Sequence, residues 1–142
     1  MWTEVHPMDR EAVQDWLDRY VRAWETYDAG LIGDLFSEDA VYRYHPYDER
    51  DDVVRGREAV VKAWIEPDGS ASERDAPGTY SAHHEPYAVE GNRAVAVGWS
   101  RYWTDASRST EESTYDNVYL LEFDEAGLCS SFTELFMKRP EA

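Results

Sequence analysis

The sequence contains a single cysteine, Cys129, among its 142 residues. No intrachain disulfide can form, and a zinc site built from several cysteines is excluded. This usage suits a reducing compartment, so we expect a cytoplasmic protein. The opening stretch MWTEVHPMDREAV also lacks the basic start and apolar core of a signal peptide. No apolar run approaches the roughly 18 residues of a membrane span, so no membrane partner is expected.

Positive charge is scarce as well. The chain has 14 basic and 30 acidic residues, which gives a formal net charge of −16. Such a surface repels the phosphate backbone of nucleic acids and anionic membranes. The acidic residues are spread along the chain, as is typical of a solvated surface. We therefore expect no nucleic-acid partner.

Aromatic residues, in contrast, are abundant, with six Trp and ten Tyr in a chain that is 42% hydrophobic. A chain of this length buries one core of its own. The composition predicts one globular domain over residues 1–142.

The first half of the sequence predicts helices. Between Arg10 and Tyr27 apolar residues recur at steps of three and four, which indicates a helix with one buried stripe and with Asp9 as its cap. A short second helix is expected to start at Asp28. A third begins at residues 56–58, GRE, and ends at Pro67.

The second half predicts a sheet. Residues 66–78 are rich in turn formers, and we expect a mobile loop there. Short turn sequences then separate four strand-like segments, at 79–89, 93–103, 112–123 and 128–138. Helices followed by an antiparallel meander indicate an α+β domain whose curved sheet wraps around the N-terminal helices.

The order of these elements resembles the nuclear transport factor 2-like superfamily, and within it the SnoaL-like proteins. The stretches that carry the resemblance are RYVRAWETYDAGLIGDLFSEDAVYRYHP, VRGREAVVKAW and LEFDEAGLCSSFTELF. The resemblance implies a cone-shaped sheet with a pocket between its concave face and the first helix. Isomerases, polyketide cyclases, epoxide hydrolases, dehydratases and non-catalytic binders share this scaffold, so the resemblance alone does not select an activity.

Strand alternation predicts which side chains line that pocket, because every second residue shares a face. In the segment 93–103 bulky and small residues alternate, and we expect the bulky set to point inward. The inward set predicted from the last three strands is Val95, Val97, Trp99, Arg101 and Trp103, then Tyr115, Asn117, Tyr119, Leu121 and Phe123, then Ser130, Phe132, Glu134 and Phe136.

The similarity to ketosteroid isomerases implies a role for Tyr20, which falls where those enzymes keep an oxyanion-stabilising tyrosine. Their general-base aspartate corresponds to Tyr44, or to His45 if the chain bulges before Pro46. Their second oxyanion acid corresponds to Tyr119. Two of three functional groups differ, so steroid isomerase activity itself is not expected. The Asp-Arg-Asp arrangement of the related epoxide hydrolases is also incomplete, because no second inward carboxylate joins Arg101 and an acid.

Two residues are candidates for moving a proton. His45 follows a strand predicted to begin at Val41, and its imidazole titrates close to neutral pH; alternatively it only bonds a neighbouring loop. Glu134, if buried among aromatic residues, has a raised pKa that suits an acid or base; alternatively it forms a structural ion pair with Arg101.

These patterns predict a pocket for a small apolar molecule. We expect proton transfer without metal or organic cofactor; the alternatives are a non-catalytic binding module and a scaffold that fills the pocket with its own side chains. The predicted catalytic residues are Tyr20, His45 and Glu134. The predicted ligand-binding residues are Trp24, Tyr44, Trp64, Trp99, Arg101, Asn117, Tyr119 and Phe132.

The remaining candidates predict no chemistry. His83 and His84 point to opposite faces of a strand, so a shared metal site is not expected and both should contact solvent or loops. Cys129 falls on the outward set. The outward apolar residues Val118, Leu120, Leu135 and Met137 predict a homodimer through the outer sheet face, as is common in the superfamily.

Overall fold

The computed structural model describes residues 8–49, 53–65 and 79–140. The described residues contain three helices, α1 (Arg10–Thr26), α2 (Ala29–Gly33) and α3 (Arg57–Ile65). Helices α1 and α2 precede the first strand, and α3 follows the second strand. The strands are β1 (Phe36–Arg43), β2 (Val54–Arg55), β3 (Tyr80–Glu90), β4 (Arg93–Trp103), β5 (Glu111–Phe123) and β6 (Cys129–Lys138). The predicted α+β class is confirmed. The loop predicted at 66–78 and the helix end at Pro67 lie outside the described residues.

Local chemistry explains the bounds of α1. The Asp9 side chain accepts a hydrogen bond from the Ala12 N–H at 2.8 Å, which satisfies one of the free donors of the first turn. Tyr27 then adopts a left-handed conformation and closes the helix by bonding to the Ala23 carbonyl. The buried stripe is Val13, Trp16, Leu17, Tyr20 and Ala23. No helix in the described ranges combines the length and the hydropathy needed to cross a bilayer.

The six strands form one curved, unclosed sheet in the order β2-β1-β6-β5-β4-β3. Neighbouring strands run antiparallel except β1 and β6, which are parallel. Strand β1 begins at Phe36, earlier than the predicted start at Val41, because Phe36 already pairs with Cys129 before the register shifts. Helix α1 lies on the face we call inner, and Gln14 anchors it there by donating to the His84 carbonyl at 2.8 Å.

The register identifies the inner face of each strand. Directly opposite one another lie Pro86, Ala96, Tyr119 and Glu134 in one row, and His84, Gly98, Asn117 and Phe136 in the next. The inward predictions for Asn117, Tyr119, Phe132 and Glu134 therefore hold. On β4, however, the inward set is the small one, Ala94, Ala96, Gly98 and Ser100, so the inward placement predicted for Trp99 and Arg101 is wrong.

Space explains this reversal on β4. Aromatic side chains from the helices and the other strands fill the interior, and only small residues fit beneath them. The bulky residues stand on the outer face instead, where the Arg101 guanidinium lies 5.3 Å from the Trp99 ring and 6.0 Å from the Trp103 ring. Arg101 also bonds Thr114 and lies 3.7 Å from Glu111, so the ion pair with Glu134 that the sequence left open as an alternative does not form.

Two further predictions about β3 and β6 are wrong. His84 is buried on the inner face rather than exposed, whereas His83 is exposed as expected. Cys129 is fully buried, because the register skips Ser130 between the pairs Glu122–Ser131 and Phe123–Cys129. This bulge reverses the alternation at the start of β6.

We expect Gly98→Ala to destabilise the protein by about 3 kcal/mol, because overpacking against backbone leaves little room to relax. A Cβ at this position would lie 2.0 Å from the His83 carbonyl oxygen and 2.4 Å from the His84 Nδ1. Gly33→Ala is the matched control, since its Cβ would meet nothing closer than 3.7 Å; a change below about 1 kcal/mol is expected. Urea unfolding measures both, and equal effects would contradict the close approach.

Candidate functional site

Six aromatic side chains from five elements meet between α1 and the sheet. This inner aromatic cluster consists of Tyr20 and Trp24 from α1, Tyr42 from β1, Trp64 from α3, Tyr119 from β5 and Phe132 from β6. Trp24 stacks on Trp64 with centroids 3.9 Å apart, and Tyr42 stacks on Phe132 at 4.5 Å. Tyr20 lies at the centre, 5.4 Å from both Tyr119 and Phe132. The helix aromatics thus cover the inner face of the sheet.

Glu134 is the acidic group beside this cluster. It pairs in register with Tyr119, so its side chain leaves the sheet on the same face. The side chain is half-buried, and no cation contacts its carboxylate within the described part of the chain. Burial raises the pKa of Glu134 from its ordinary value of 4.5 to about 7. At neutral pH the carboxyl therefore exists in both protonation states, as a general acid or base requires.

The neighbouring tyrosines remain protonated. Burial, followed by the charge of Glu134, raises the pKa of Tyr44 to about 12. The pKa values of Tyr20, Tyr42 and Tyr119 are also raised, mainly by burial, and the charge of Glu134 contributes in each case. The hydroxyls next to Glu134 therefore act as hydrogen-bond donors rather than as phenolates.

One end of the cluster approaches the surface. Along the inner side of β6 the exposed fraction increases from 0% at Phe132 to 46% at Phe136, with Glu134 half-buried between them. At that end the His45 ring lies 4.9 Å from Tyr47 and 5.6 Å from Phe136. We call His45, Tyr47 and Phe136 the rim. Glu134 therefore lies between the exposed rim and the fully buried rings.

His45 is held by an acidic residue of its own turn. Asp48 is buried, and its Oδ2 accepts the backbone N–H groups of Tyr44 and His45 at 3.1 and 3.0 Å. Its Oδ1 lies 3.2 Å from the His45 Nδ1. This is the loop hydrogen bond that the sequence left open as an alternative. It assigns Nδ1 as the donor and leaves Nε2 as a proton acceptor when the ring is neutral.

The structure separates the predicted site residues into three groups. Glu134 and the predicted residues near it share the inner face: Tyr20, Trp24, Tyr44, Trp64, Asn117, Tyr119 and Phe132. His45 lies at the rim. Trp99 and Arg101 lie on the outer face and do not reach this site.

Sequence reasoning missed two inner-face residues. Tyr42 shares the side of β1 that carries Tyr44, and the alternation of the two tyrosines was the signal for it. His84 had no such signal on its own strand. Only the glycine opposite, Gly98, indicated that a ring needed room there.

The outer face has a cavity of about 530 Å³. Two rows in register line it. One contains Arg43, Thr133, Leu120, Val95 and Ala88, and the other contains Ser131, Glu122, Arg93 and Glu90. This cavity is separated from Glu134 by the thickness of the sheet.

No group of three His, Cys, Asp or Glu side chains with the geometry to hold an ion occurs within residues 8–49, 53–65 and 79–140.

The sequence matches the family model of the SnoaL-like domain over residues 17–132. The chain belongs to the SnoaL-like domain family. The match covers most of the chain, and it confirms the resemblance seen in the order of elements. No curated protein matches this sequence at a significant level.

Solved structures with the same fold include three from bacteria. A nuclear transport factor 2-like protein of unknown function from Mesorhizobium loti is 20% identical with a TM-score of 0.59, covering 95% of this chain and 99% of that one. A candidate ketosteroid isomerase from Kribbella flavida is 16% identical with a TM-score of 0.61, covering 95% and 84%. A protein with a cystatin-like fold from Methylobium petroleophilum is 15% identical with a TM-score of 0.61, covering 96% and 82%. At these identities the similarity shows the fold alone.

We expect Glu134 to make the protein less stable as pH rises. Its folded pKa of about 7 exceeds the ordinary 4.5, so its ionisation costs nothing below pH 4.5 and its full cost is reached above pH 7. That difference corresponds to at most about 3 kcal/mol. Relative to Glu134→Gln, the wild type should therefore lose stability between pH 5 and pH 8.

Urea unfolding at several pH values measures this difference. Glu122→Gln is the control, because Glu122 is an exposed acid on the outer face of β5. A difference between wild type and Glu134→Gln that does not vary with pH would contradict the raised pKa.

Proposed function

We propose that this SnoaL-like domain catalyses proton transfer on a small apolar molecule that bears a carbonyl group, with Glu134 as the residue that moves the proton. The observation that carries this proposal is a carboxyl with a pKa of about 7 beside a cluster of protonated tyrosines. A carboxylate at this pKa accepts a proton from carbon and returns it at the same pH.

The reaction needs no group beyond the side chains of the site. The Glu134 carboxylate removes a proton from the carbon next to the carbonyl, and the electron pair of that C–H bond moves onto the carbonyl oxygen. The Tyr20 hydroxyl donates a hydrogen bond to the resulting oxyanion, and Tyr119 supports it through the hydrogen bond between the two tyrosines. Protonated Glu134 then returns the proton to the same carbon or, where a C=C bond is conjugated with the enolate, to the far carbon of that bond.

The aromatic walls favour an apolar ligand. Tyr44 and the rim residue Phe136 present partly exposed rings near Glu134, and the buried rings of Trp64 and Phe132 lie behind them. Asn117 offers a polar contact, because its Oδ1 is buried and has no hydrogen-bond partner in the described part of the chain. Together these groups support a small molecule with few polar atoms.

Glu134→Gln should lower the proton-transfer rate by a factor of about 10² to 10⁴, because the amide does not accept the proton. The measurement is deuterium uptake from D₂O next to the carbonyl of small cyclic ketones, followed by NMR. Glu122→Gln should keep the wild-type rate. His45→Ala should keep most of it, because the histidine lies at the rim.

Full exchange by Glu134→Gln would reject Glu134 as the base. A loss confined to His45→Ala would assign the role to the rim histidine instead. Tight binding of a ketone with no exchange in the wild type would favour the non-catalytic binding module.

We further propose that two copies associate through the outer sheet face, in the cytoplasm. The single, unpaired Cys129 supports that location. The face has an apolar centre that includes Leu120, Val118 and Leu135, and charged pairs of both signs flank it, such as Arg93 with Glu122 at 3.8 Å. A surface with both signs at its margins complements a rotated copy of itself.

Leu120→Asp should convert a dimer to a monomer, because it places a charge in the apolar centre of the face. Leu31→Asp on α2 is the matched control, since Leu31 is 38% exposed and Leu120 is 42% exposed. Sedimentation velocity distinguishes the two states. A monomeric wild type, or a dimer that both substitutions leave intact, would contradict this interface.

A further inference from the structure

His84 is an ionisable group inside the core that the proposed reaction does not use. It lies in the middle of β3 and is 1% exposed. Its ring packs between two tyrosines of the inner aromatic cluster, 4.7 Å from the Tyr119 ring and 5.9 Å from the Tyr20 ring. Its Nε2 lies 3.4 Å from the Tyr119 hydroxyl oxygen. The imidazole therefore contacts both hydroxyl-bearing residues assigned to the oxyanion.

Two residues of other elements hold His84 in this position. Gly98 lies opposite His84, and any side chain there would occupy the space of the ring. Gln14 of α1 donates to the His84 carbonyl at 2.8 Å and fixes the strand against the helix. A ring held this closely keeps one orientation toward Tyr119.

The imidazole is neutral. Burial, and to a lesser extent the neighbouring His83, lowers the pKa of His84 from 6.5 to about 3. A neutral ring carries one proton, on either Nδ1 or Nε2. The Nδ1 atom is buried and has no hydrogen-bond partner among the residues that the structure describes. If the proton were on Nδ1, the core would contain an unsatisfied N–H donor, which is rare in proteins.

The Tyr119 hydroxyl also hydrogen-bonds the Tyr20 hydroxyl, and the two rings lie 5.4 Å apart. A hydroxyl donates one proton, and its oxygen also accepts. When the Tyr119 oxygen accepts from His84 Nε2, its own proton is therefore free for the bond to Tyr20.

We infer that neutral His84 is a positioning residue, which donates from Nε2 to the Tyr119 oxygen and thereby directs the Tyr119 hydroxyl toward Tyr20. The resulting chain runs from His84 to Tyr119 to Tyr20. Because Tyr20 accepts this bond, its own proton remains available for a ligand oxygen. The use of this chain in catalysis rests on the proposed function, whereas the hydrogen bond itself does not.

NMR of the full chain labelled with ¹⁵N-histidine tests the inference without any ligand. We expect a His84 signal with the proton on Nε2, protected from exchange with solvent and unchanged between pH 5 and pH 8. The titratable groups that face the ring are Tyr20 and Tyr119, with Glu134 one row away, and His83 lies next to it in the chain on the opposite face of β3. Replacing the other three histidines one at a time assigns the His84 signal even if no His84 variant folds.

Tyr119→Phe should shift the Nε2 signal and remove the protection of its proton, because the acceptor oxygen is lost. Tyr42→Phe is the matched control. Tyr42 is also buried and also interacts with the Tyr20 hydroxyl, but no contact joins it to His84 in the described ranges. A role that was only structural would give similar changes in both variants.

A proton on Nδ1, titration of the ring between pH 5 and pH 8, or equal effects of the two tyrosine substitutions would each overturn the inference. These outcomes are distinct from failure of the proposed function. Loss of ketone exchange in Glu134→Gln and the state of the His84 ring are measured separately, and either result can hold without the other.

Discussion

The packing of the α1 aromatic stripe on the inner face of the sheet is the contact on which the rest of this structure depends. Tyr20 contacts rings from α1, α3, β3, β5 and β6. Trp16 joins the helix to the segment before β1 by donating to the Leu35 carbonyl at 2.9 Å. Each large ring removes apolar area from water. The same packing removes water from Glu134 and His84, so the force that folds the domain also sets their protonation.

Stability and chemistry oppose each other at these two residues. A half-buried carboxyl without a cation and a buried imidazole with one unpaired nitrogen are costly to a fold that only needs to pack. Beside protonated tyrosines, the same two groups are placed to transfer a proton and to position a hydroxyl, as we propose above. On the outer face, in contrast, the charged groups have partners. Arg101 contacts Thr114 and Glu111, and Arg139 pairs with Asp116.

Prediction from the sequence succeeded where the signal was local. The cap at Asp9, the spacing of the α1 stripe and the turn residues between the strands each act over a few residues, and the elements follow from them. Alternation placed Tyr119, Phe132 and Glu134 on one face because β5 and the later part of β6 are regular. It failed at Cys129, where one skipped residue reverses the faces, and on β4, where size alone was a poor guide to direction.

The sequence by itself therefore determined the family, the order of the elements and the surplus of aromatic residues around one carboxyl. Only the tertiary structure decided which side of β4 faces the helix, that Arg101 is absent from the site and that His84 is in it. The physical reason is that side-chain direction on a strand depends on the volume available between layers. That volume is set by residues distant in the chain, such as Tyr20 on α1 and Gly98 opposite His84.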